Sequence, residues 1–382
     1  MASSMNGRQK LLIVSEPLSG VNSVQSKFIY SFCQSMREKF DITVAAMKIS
    51  EDVRQAYQGA GIRLISPARS FYSIDALAEK MDWGNESSLW AEAWFREAFL
   101  SQNSRRLKEL VDIGDYDYVI NSTNTIAIDC DVWWIQGVST SKAINSIRFH
   151  KKWQQIAAKV AEIGLKEPSM DVLHKLFRKS RLRIANSCYL KEYFEKLGMP
   201  VHGVVHSFPD FSAFRKKTGS ASDRYALSYV GKETEVDTLL RLADSSMKIV
   251  TFGQKKLPGL TSRSSMSKIN FLGRVSHEQL ISLYSSAQFT VFPFTNEPLG
   301  AVPMESMACG TPVLTYNKQG PSEIVINGET GWLAEDSDEL VEIGNRIWKG
   351  FNREWFSANA VKRAALFTPK NQAAMMTEFL LG

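Results

Sequence analysis

The segment Phe294–Gly320, with the sequence FTNEPLGAVPMESMACGTPVLTYNKQG, predicts a loop, a short helix and a strand. The apolar run FTVFPF (Phe289–Phe294) leads into it as a buried strand. We expect the helix to open near Gly300, because a proline such as Pro303 is tolerated in a first turn, where the N–H has no intrahelical partner. Gly310 ends the helix, and the strand PVLTY follows. The segment is therefore typical of one unit of an α/β fold.

Two acidic residues, Glu297 and Glu305, lie around the start of this predicted helix. We expect Glu297 in the loop before the helix and Glu305 about two turns inside it. Four residues are expected to point unpaired backbone N–H groups out of the helix mouth: Leu299, Gly300, Ala301 and Val302. Such a mouth suits a phosphate, since unpaired donors and the positive end of the helix dipole converge there. Carboxylates beside an anion site suit a nucleotide sugar, and the alternative is that both acids are ordinary surface charges.

These residues carry a family resemblance. The segment resembles the E-x7-E signature of glycosyltransferase family 4, whose members are retaining enzymes with the GT-B fold. The flanking stretches Phe271–Phe294 and Gly320–Leu333 fit the same family in the same order. In the first half of the chain, Ala185–Pro200 (ANSCYLKEYFEKLGMP) resembles the strand and helix that precede the family's domain crossover. The resemblance implies an α/β protein of two Rossmann-like domains with a cleft between them.

Length and periodicity agree with two domains. The chain has 382 residues and 44% apolar residues, enough for two hydrophobic cores. Strand-like and helix-like runs alternate along it, which is typical of parallel sheets covered by helices. We place an N-terminal acceptor domain at 1–207 and a C-terminal nucleotide-sugar donor domain at 208–367. The resemblance implies that a terminal helix at about 368–382 packs back on the first domain. A helix over 145–180 is expected to break around Pro168.

The resemblance also implies roles for the charged residues. Glu305 would accept the vicinal hydroxyls of a ribose. Glu297 would lie nearer the transferred sugar and stabilise positive charge at its anomeric carbon. Lys232 follows Gly231 where the family usually carries an arginine, and the family's second lysine has no counterpart. Lysine keeps the charge but loses the bidentate fork of arginine.

Other groups near the same sheet edge could complete the donor site. Lys255, Lys256 or Arg274 could compensate for the absent second lysine, or donor binding could be weakened. The backbone near Arg274 and Val275 is expected to hold the base, with the Arg274 side chain as a phosphate ligand. Ser276 is expected to cap the helix that begins at the next residue.

The first domain departs from the family pattern. Only Gly20 remains of the Gly-rich loop that would approach the donor phosphate or the acceptor, and Gln136 stands where family members commonly have a histidine. Glutamine can bind a sugar hydroxyl but cannot carry a proton. The Asp-x-Asp sequences 115–117 and 129–131 resemble the metal-binding pair of the other glycosyltransferase fold, but each precedes a strand. We expect no obligatory metal and no metal ligands among the histidines.

The net charge of +6 is unevenly distributed. Residues 142–183 contain eleven Lys or Arg and three acids. This basic stretch could be a landing face for anionic lipid or a phosphorylated acceptor, or simply a solvated helix face. It contains none of the motifs of nucleic-acid recognition, so we expect no nucleic-acid partner. Four isolated cysteines and the lack of an eighteen-residue apolar run favour a cytoplasmic protein, with peripheral contact at the inner membrane face as an option.

Together these observations predict a metal-independent transferase of the hexosyl type, and the family resemblance implies that it retains the anomeric configuration of the donor. It would move a sugar from a nucleoside diphosphate sugar, UDP- or GDP-linked, to a hydroxyl of a glycan or lipid-linked saccharide, and it would need no other cofactor. Two alternatives remain open. One is a GT-B phosphorylase or epimerase, and the other is a catalytically weak GT-B subunit that binds a partner transferase or a glycan.

Overall fold

The structure is a computed structural model that describes residues 7–21, 23–67, 85–139, 152–215, 224–231, 233–253 and 269–382. Three lysines with predicted roles lie outside the described residues: Lys232, Lys255 and Lys256.

The first half of the chain forms a seven-stranded sheet in which all paired strands are parallel. Its strands are β1 (Gln9–Ser15), β2 (Phe40–Ala46), β3 (Arg63–Ile65), β4 (Tyr118–Ser122), β5 (Cys130–Ile135), β6 (Ser180–Ala185) and β7 (Gly203–Val204). Their order across the sheet is β3-β2-β1-β4-β5-β6-β7. The described helices of this half are α1 (Val24–Met36), α2 (Glu51–Gly59), α3 (Asn85–Leu100), α4 (Gln102–Leu110), α5 (Lys152–Lys179) and α6 (Cys188–Lys196).

Strand β1 lies inside this sheet, between β2 and β4, and is apolar on both faces. Leu11 and Ile13 belong to one hydrophobic cluster, whereas Leu12 and Val14 belong to a second cluster on the other side. Successive side chains of a strand point to opposite faces, so a run of four apolar residues needs helices on both sides. In sheets covered in this way, ligands bind outside the carboxyl ends of the strands.

The expected break at Pro168 is wrong. Helix α5 runs through Pro168 without interruption from Lys152 to Lys179. Val172, Leu173 and Leu176 are buried in one cluster against the sheet. This packing keeps the helix continuous, although Pro168 cannot donate a backbone hydrogen bond.

The second half of the chain forms a six-stranded sheet that is again parallel throughout. Its strands are β8 (Ala226–Val230), β9 (Ile249–Gly253), β10 (Ile269–Phe271), β11 (Thr290–Phe292), β12 (Val313–Tyr316) and β13 (Gly331–Ala334). Their order is β10-β9-β8-β11-β12-β13. The described helices are α7 (Val236–Asp244), α8 (His277–Ser286), α9 (Ala301–Ala308), α10 (Gln319–Ile324), α11 (Ser337–Lys349) and α12 (Arg353–Ala364). The chain thus has the predicted α/β class, with two doubly wound parallel sheets.

The last helix, α13 (Pro369–Leu381), belongs to the core of the first half. Ala373, Met376 and Leu380 are buried in the same cluster as residues of α1 and β1. Thr368 caps this helix by accepting a hydrogen bond from the Asn371 N–H at 3.2 Å. The chain therefore crosses from the second sheet back to the first.

One carboxylate joins the two halves directly. Glu323, in α10, accepts hydrogen bonds from the N–H groups of Cys188 at 2.7 Å and Tyr189 at 2.8 Å, at the start of α6. Its other neighbour is His206, whose Nε2 lies 3.3 Å from Glu323 Oε2. Because a negative charge at a helix N-terminus is favourable, this contact holds the two halves together on one side of the cleft.

Candidate active site

The predicted helix after β11 is present and short. Helix α9 spans Ala301–Ala308, begins after Gly300 and ends before Gly310, so both predicted boundaries are confirmed. Gly300 has a φ of 97°, and a Cβ there would lie 2.7 Å from Ile324 Cδ1, so this position requires glycine. Glu305 is the fifth residue of α9, which places it one turn inside the helix rather than the expected two.

The carboxylate of Glu297 occupies part of the helix mouth. Its Oε1 accepts hydrogen bonds from the N–H of Leu299 at 3.1 Å and of Gly300 at 2.8 Å. The expectation that both amides point unpaired out of the helix is therefore wrong, because a carboxylate two and three residues earlier can fold back onto them. The N–H groups of Ala301 and Val302, the first two helical residues, have no intrahelical acceptor.

The surroundings of Glu297 include groups that raise its pKa and groups that lower it. Burial raises the pKa of Glu297, and the hydrogen bonds from Gly300 and Leu299 oppose that rise. The nearby carboxylate of Glu233 raises the pKa further. Glu297 is thus held by amide donors while a second acid stands close to it.

Glu305 faces a tyrosine and the other half of the molecule. The Tyr284 hydroxyl, from α8, donates a hydrogen bond to Glu305 Oε2 at 3.0 Å. Burial raises the pKa of Glu305 to about 7, while the Tyr284 hydrogen bond and the Lys27 ammonium oppose the rise. Since Lys27 lies in α1, a charge of the first half acts on the carboxylate of the second half across the cleft. Neither Tyr284 nor Lys27 could be predicted from the sequence, because nothing local links either of them to Glu305.

The loop after β8 lies beside the loop that carries Glu297. Gly231 is buried, and its N–H donates to Thr234 Oγ1 at 2.9 Å. The Thr295 N–H donates to the Glu233 carbonyl at 2.8 Å, which joins the two loops. The loop that carries Gly231 therefore lies next to the loop that carries Glu297, and Lys232 itself lies outside the described residues.

The connection between β10 and α8 carries three predicted residues. Arg274 is exposed there, and Val275 is half-buried against an apolar cluster of the second sheet. Ser276 accepts a hydrogen bond from the Gln279 N–H at 3.2 Å, and the Gln279 side chain accepts one from the Ser276 N–H at 2.9 Å. The predicted cap at Ser276 is confirmed as a reciprocal capping box.

The two predicted residues of the first half lie after different strands. Gly20 follows β1, and its carbonyl accepts a hydrogen bond from the Ser23 N–H, at 3.0 Å. Gln136 follows β5, and its Oε1 accepts a hydrogen bond from Asn186 Nδ2 at 3.4 Å. Both therefore lie at the carboxyl edge of the first sheet, which is the edge that open α/β folds use for ligands.

A further acid at this edge was missed in the sequence. Glu16 follows β1 directly, and its carboxylate accepts hydrogen bonds from the Asn124 N–H at 2.8 Å and Thr125 Oγ1 at 2.7 Å. Burial raises its pKa to about 7, against these two hydrogen bonds. Glu16 thus holds the segment after β4 in place. A charged residue immediately after a buried strand was the signal that could have found it.

The two Asp-x-Asp sequences have other partners. Asp129 forms a salt bridge with Lys179 at 3.0 Å, and Asp131 accepts a hydrogen bond from the Val119 N–H at 2.8 Å. Asp117 accepts a hydrogen bond from the Lys10 N–H at 2.7 Å. Across the described part of the chain, no group of three or more His, Cys, Asp or Glu is arranged to hold a metal ion.

Of the helices that the structure describes, none is both long and apolar enough to cross a membrane.

The second half of the chain is similar to a family of known proteins. Residues 213–360 match the family described as Glycosyl transferases group 1. The chain is 40% identical over 74 residues to the alpha-1,3/1,6-mannosyltransferase alg-2 of Neurospora crassa, which covers 19% of this chain and 16% of that protein. It is 28% identical over 159 residues to the capsular polysaccharide biosynthesis glycosyltransferase CapM of Staphylococcus aureus, covering 37% of this chain and 42% of that protein.

Structural similarity extends over both halves. The crystal structure of Anabaena HepE in complex with UDP and glucose superposes with a TM-score of 0.64 at 15% identity, over 98% of this chain and 100% of that one. This likeness establishes the GT-B fold, whereas the matches to the two curated relatives span less than half of the length of either one. Residues 213–360 are therefore similar to the Glycosyl transferases group 1 family, and the chain as a whole has the GT-B fold.

Proposed function

We propose that this protein is a retaining, metal-independent glycosyltransferase of family 4 that transfers a hexosyl-type unit from a nucleoside diphosphate sugar to a hydroxyl acceptor. The observation that carries the proposal is the arrangement of Glu297 and Glu305 on either side of the α9 N-terminus. One carboxylate lies in the loop at the helix mouth and the other lies one turn inside the helix. In this arrangement Glu305 binds the ribose hydroxyls and Glu297 binds the transferred sugar.

We propose that a diphosphate binds at the helix mouth, between these two acids. The N–H groups of Ala301 and Val302 have no intrahelical acceptor, and the helix dipole places partial positive charge at this end. In the proposed reaction these amides, with Lys232 and Arg274, stabilise the negative charge that develops on the leaving diphosphate. The UDP and glucose in the HepE complex support a nucleotide sugar as the donor, because that protein shares the fold of this chain.

Calorimetric titration with UDP, GDP and ADP, each with and without EDTA, tests the donor site. We expect one of these nucleotides to bind equally well with and without the chelator. Glu305→Ala should abolish the binding, whereas Glu342→Ala, which removes an exposed acid on α11, should leave it unchanged. Loss of binding upon EDTA addition would contradict metal independence.

The same titration separates the alternatives. If no nucleotide binds, the protein is better described as a subunit that binds a partner transferase or a glycan. If a nucleotide sugar binds and turns over only with inorganic phosphate, it is a phosphorylase. Conversion of the nucleotide sugar to an isomer without any acceptor would identify an epimerase. Where transfer occurs, NMR of the product's anomeric proton reports whether the configuration is retained.

For the acceptor we propose a lipid-linked saccharide at an anionic membrane surface on the cytoplasmic side. Ile156, Val160 and Ile163 form an exposed apolar ridge on one face of α5, with exposed fractions of 64%, 65% and 77%. Lys159 and Lys166 lie on the same stretch of helix and are exposed. Exposed apolar residues interspersed with lysines favour the interface of an anionic bilayer.

A further inference from the structure

Gln319, at the start of α10, has a backbone conformation that residues other than glycine rarely adopt. Its φ is 58°, in the left-handed region. Among the described residues, two other non-glycine residues share this feature: Ser101, between α3 and α4, and Ser246, just after α7. A residue with a Cβ is strained in this region, and such strain persists only where the surrounding structure imposes it.

Gln319 and the residue after it form hydrogen bonds with the backbone of Glu297. The Gln319 side-chain Oε1 accepts a hydrogen bond from the Glu297 N–H at 2.6 Å. The next residue, Gly320, donates its N–H to the Glu297 carbonyl at 3.1 Å. Both backbone polar groups of Glu297 are therefore held by two consecutive residues that lie more than twenty positions later in the chain.

The left-handed turn makes this double contact possible. It directs the Gln319 side chain and the Gly320 amide toward the same loop. The approach is close, since a Cβ on Gly320 would clash with the Pro298 carbonyl. On the other side, Ser322 Oγ donates a hydrogen bond to the Gln319 carbonyl at 2.8 Å, which fixes the turn to the rest of α10.

We propose that Gln319 is a positioning residue that holds Glu297 in the orientation needed to act on the transferred sugar. This inference rests on the proposed function. Glycine would adopt the same backbone conformation without strain, but it would provide no acceptor for the Glu297 N–H. With its backbone fixed at both polar groups, Glu297 keeps its carboxylate on the Leu299 and Gly300 amides and at the mouth of α9.

The variant Gln319→Gly tests the proposal because it removes the strain and the acceptor together. We expect its melting temperature to stay close to that of the wild type, since the relief of strain at positive φ offsets the lost hydrogen bond. We expect kcat for sugar transfer to fall about tenfold, because the loop that carries Glu297 loses one aligned hydrogen bond. The Kd for the nucleoside diphosphate should remain within about twofold, because that ligand lacks the sugar that Glu297 contacts.

Gln319→Asn provides a second test. Asparagine tolerates left-handed backbone better than most residues, but its side chain is one carbon shorter, so it should lose the contact and match the glycine variant in kcat. Ser246→Gly is the matched control, because it relieves the same kind of strain at an exposed site after α7. Its melting temperature should rise while kcat stays unchanged.

The results separate this inference from the proposed function. If the wild type binds no nucleoside diphosphate, the proposed function fails. If the wild type binds and turns over but Gln319→Gly keeps the wild-type kcat, only the positioning role is wrong. A loss of nucleotide affinity as large as the loss of kcat would also overturn the positioning role.

Discussion

The hydroxyl of Tyr284 donates a hydrogen bond to Glu305 Oε2 at 3.0 Å, and this bond links α8 to the helix at the candidate site. Tyr284 is completely buried, so its hydroxyl has a fixed position. A fixed donor of this kind favours the ionised carboxylate and counteracts the effect of burial on the pKa of Glu305. The ionised form is the one that can accept both hydroxyls of a ribose.

Replacing Tyr284 with phenylalanine should make Glu305 harder to ionise. We expect the affinity for the nucleoside diphosphate at pH 7 to fall about threefold to tenfold, and the midpoint of its pH dependence to move upward. Calorimetry over a pH series measures both quantities. Tyr225→Phe is a matched control, since its hydroxyl donates to the Leu283 carbonyl at 2.8 Å and does not contact Glu305. An unchanged midpoint in Tyr284→Phe would show that this hydroxyl does not tune the carboxylate.

Glu305 should also make stability depend on pH in a defined window. Burial raises its pKa from the ordinary 4.5 to about 7, so folding favours the protonated form. The resulting stabilisation is complete below pH 4.5 and is lost as the pH rises through 7. The difference in melting temperature between Glu305→Gln and the wild type should therefore grow from pH 4.5 to 7 and then level off.

Thermal unfolding of both proteins across this range checks the expectation. Glu16, whose pKa burial also raises to about 7, is present in both proteins and cancels in the difference. A difference that stays constant between pH 4.5 and pH 7 would mean that Glu305 titrates in the folded protein as it does in the unfolded chain.

Glu323 should contribute to stability through the start of α6. Its carboxylate accepts hydrogen bonds from the Cys188 and Tyr189 N–H groups, while the Ser187 hydroxyl accepts one from the Leu190 N–H at 3.2 Å. Glu323→Ala should leave the first two amides without acceptors and reduce the free energy of unfolding by about 0.5–2 kcal/mol, as for the loss of a helix cap. Chemical denaturation measures this loss. Glu342→Ala should show no comparable loss, and equal stability of the two variants would contradict a stabilising contact between the halves.

The apolar ridge of α5 should determine binding to membranes. Changing Ile156, Val160 and Ile163 to serine should abolish co-sedimentation with vesicles that contain anionic lipid, because the ridge would no longer insert among the acyl chains. A control with Val361 and Leu366 changed to serine removes exposed apolar side chains from the second half and should sediment like the wild type. If the wild type does not bind anionic vesicles, or binds neutral ones equally well, the proposed anionic membrane surface is wrong.

Those features of the candidate site that depend on neighbouring residues could be predicted from the sequence. The start of α9 after Gly300, its end before Gly310 and the cap at Ser276 follow from backbone preferences that act over a few positions. Alternating strands and helices predicted two parallel sheets, because apolar strands must be covered on both faces. The two glutamates were identified by their spacing and by the family resemblance.

The tertiary structure decided which groups those glutamates meet. In the structure, Glu297 folds back onto the amides of Leu299 and Gly300, and Gln319 holds its backbone from a later helix. The local sequence predicts neither contact. Likewise, Lys27 acts on Glu305 from the other half of the molecule. Caps and periodicity arise from interactions within one or two turns of chain. The orientation and charge of a carboxylate depend on every group packed around it, and folding brings those groups together from distant parts of the sequence.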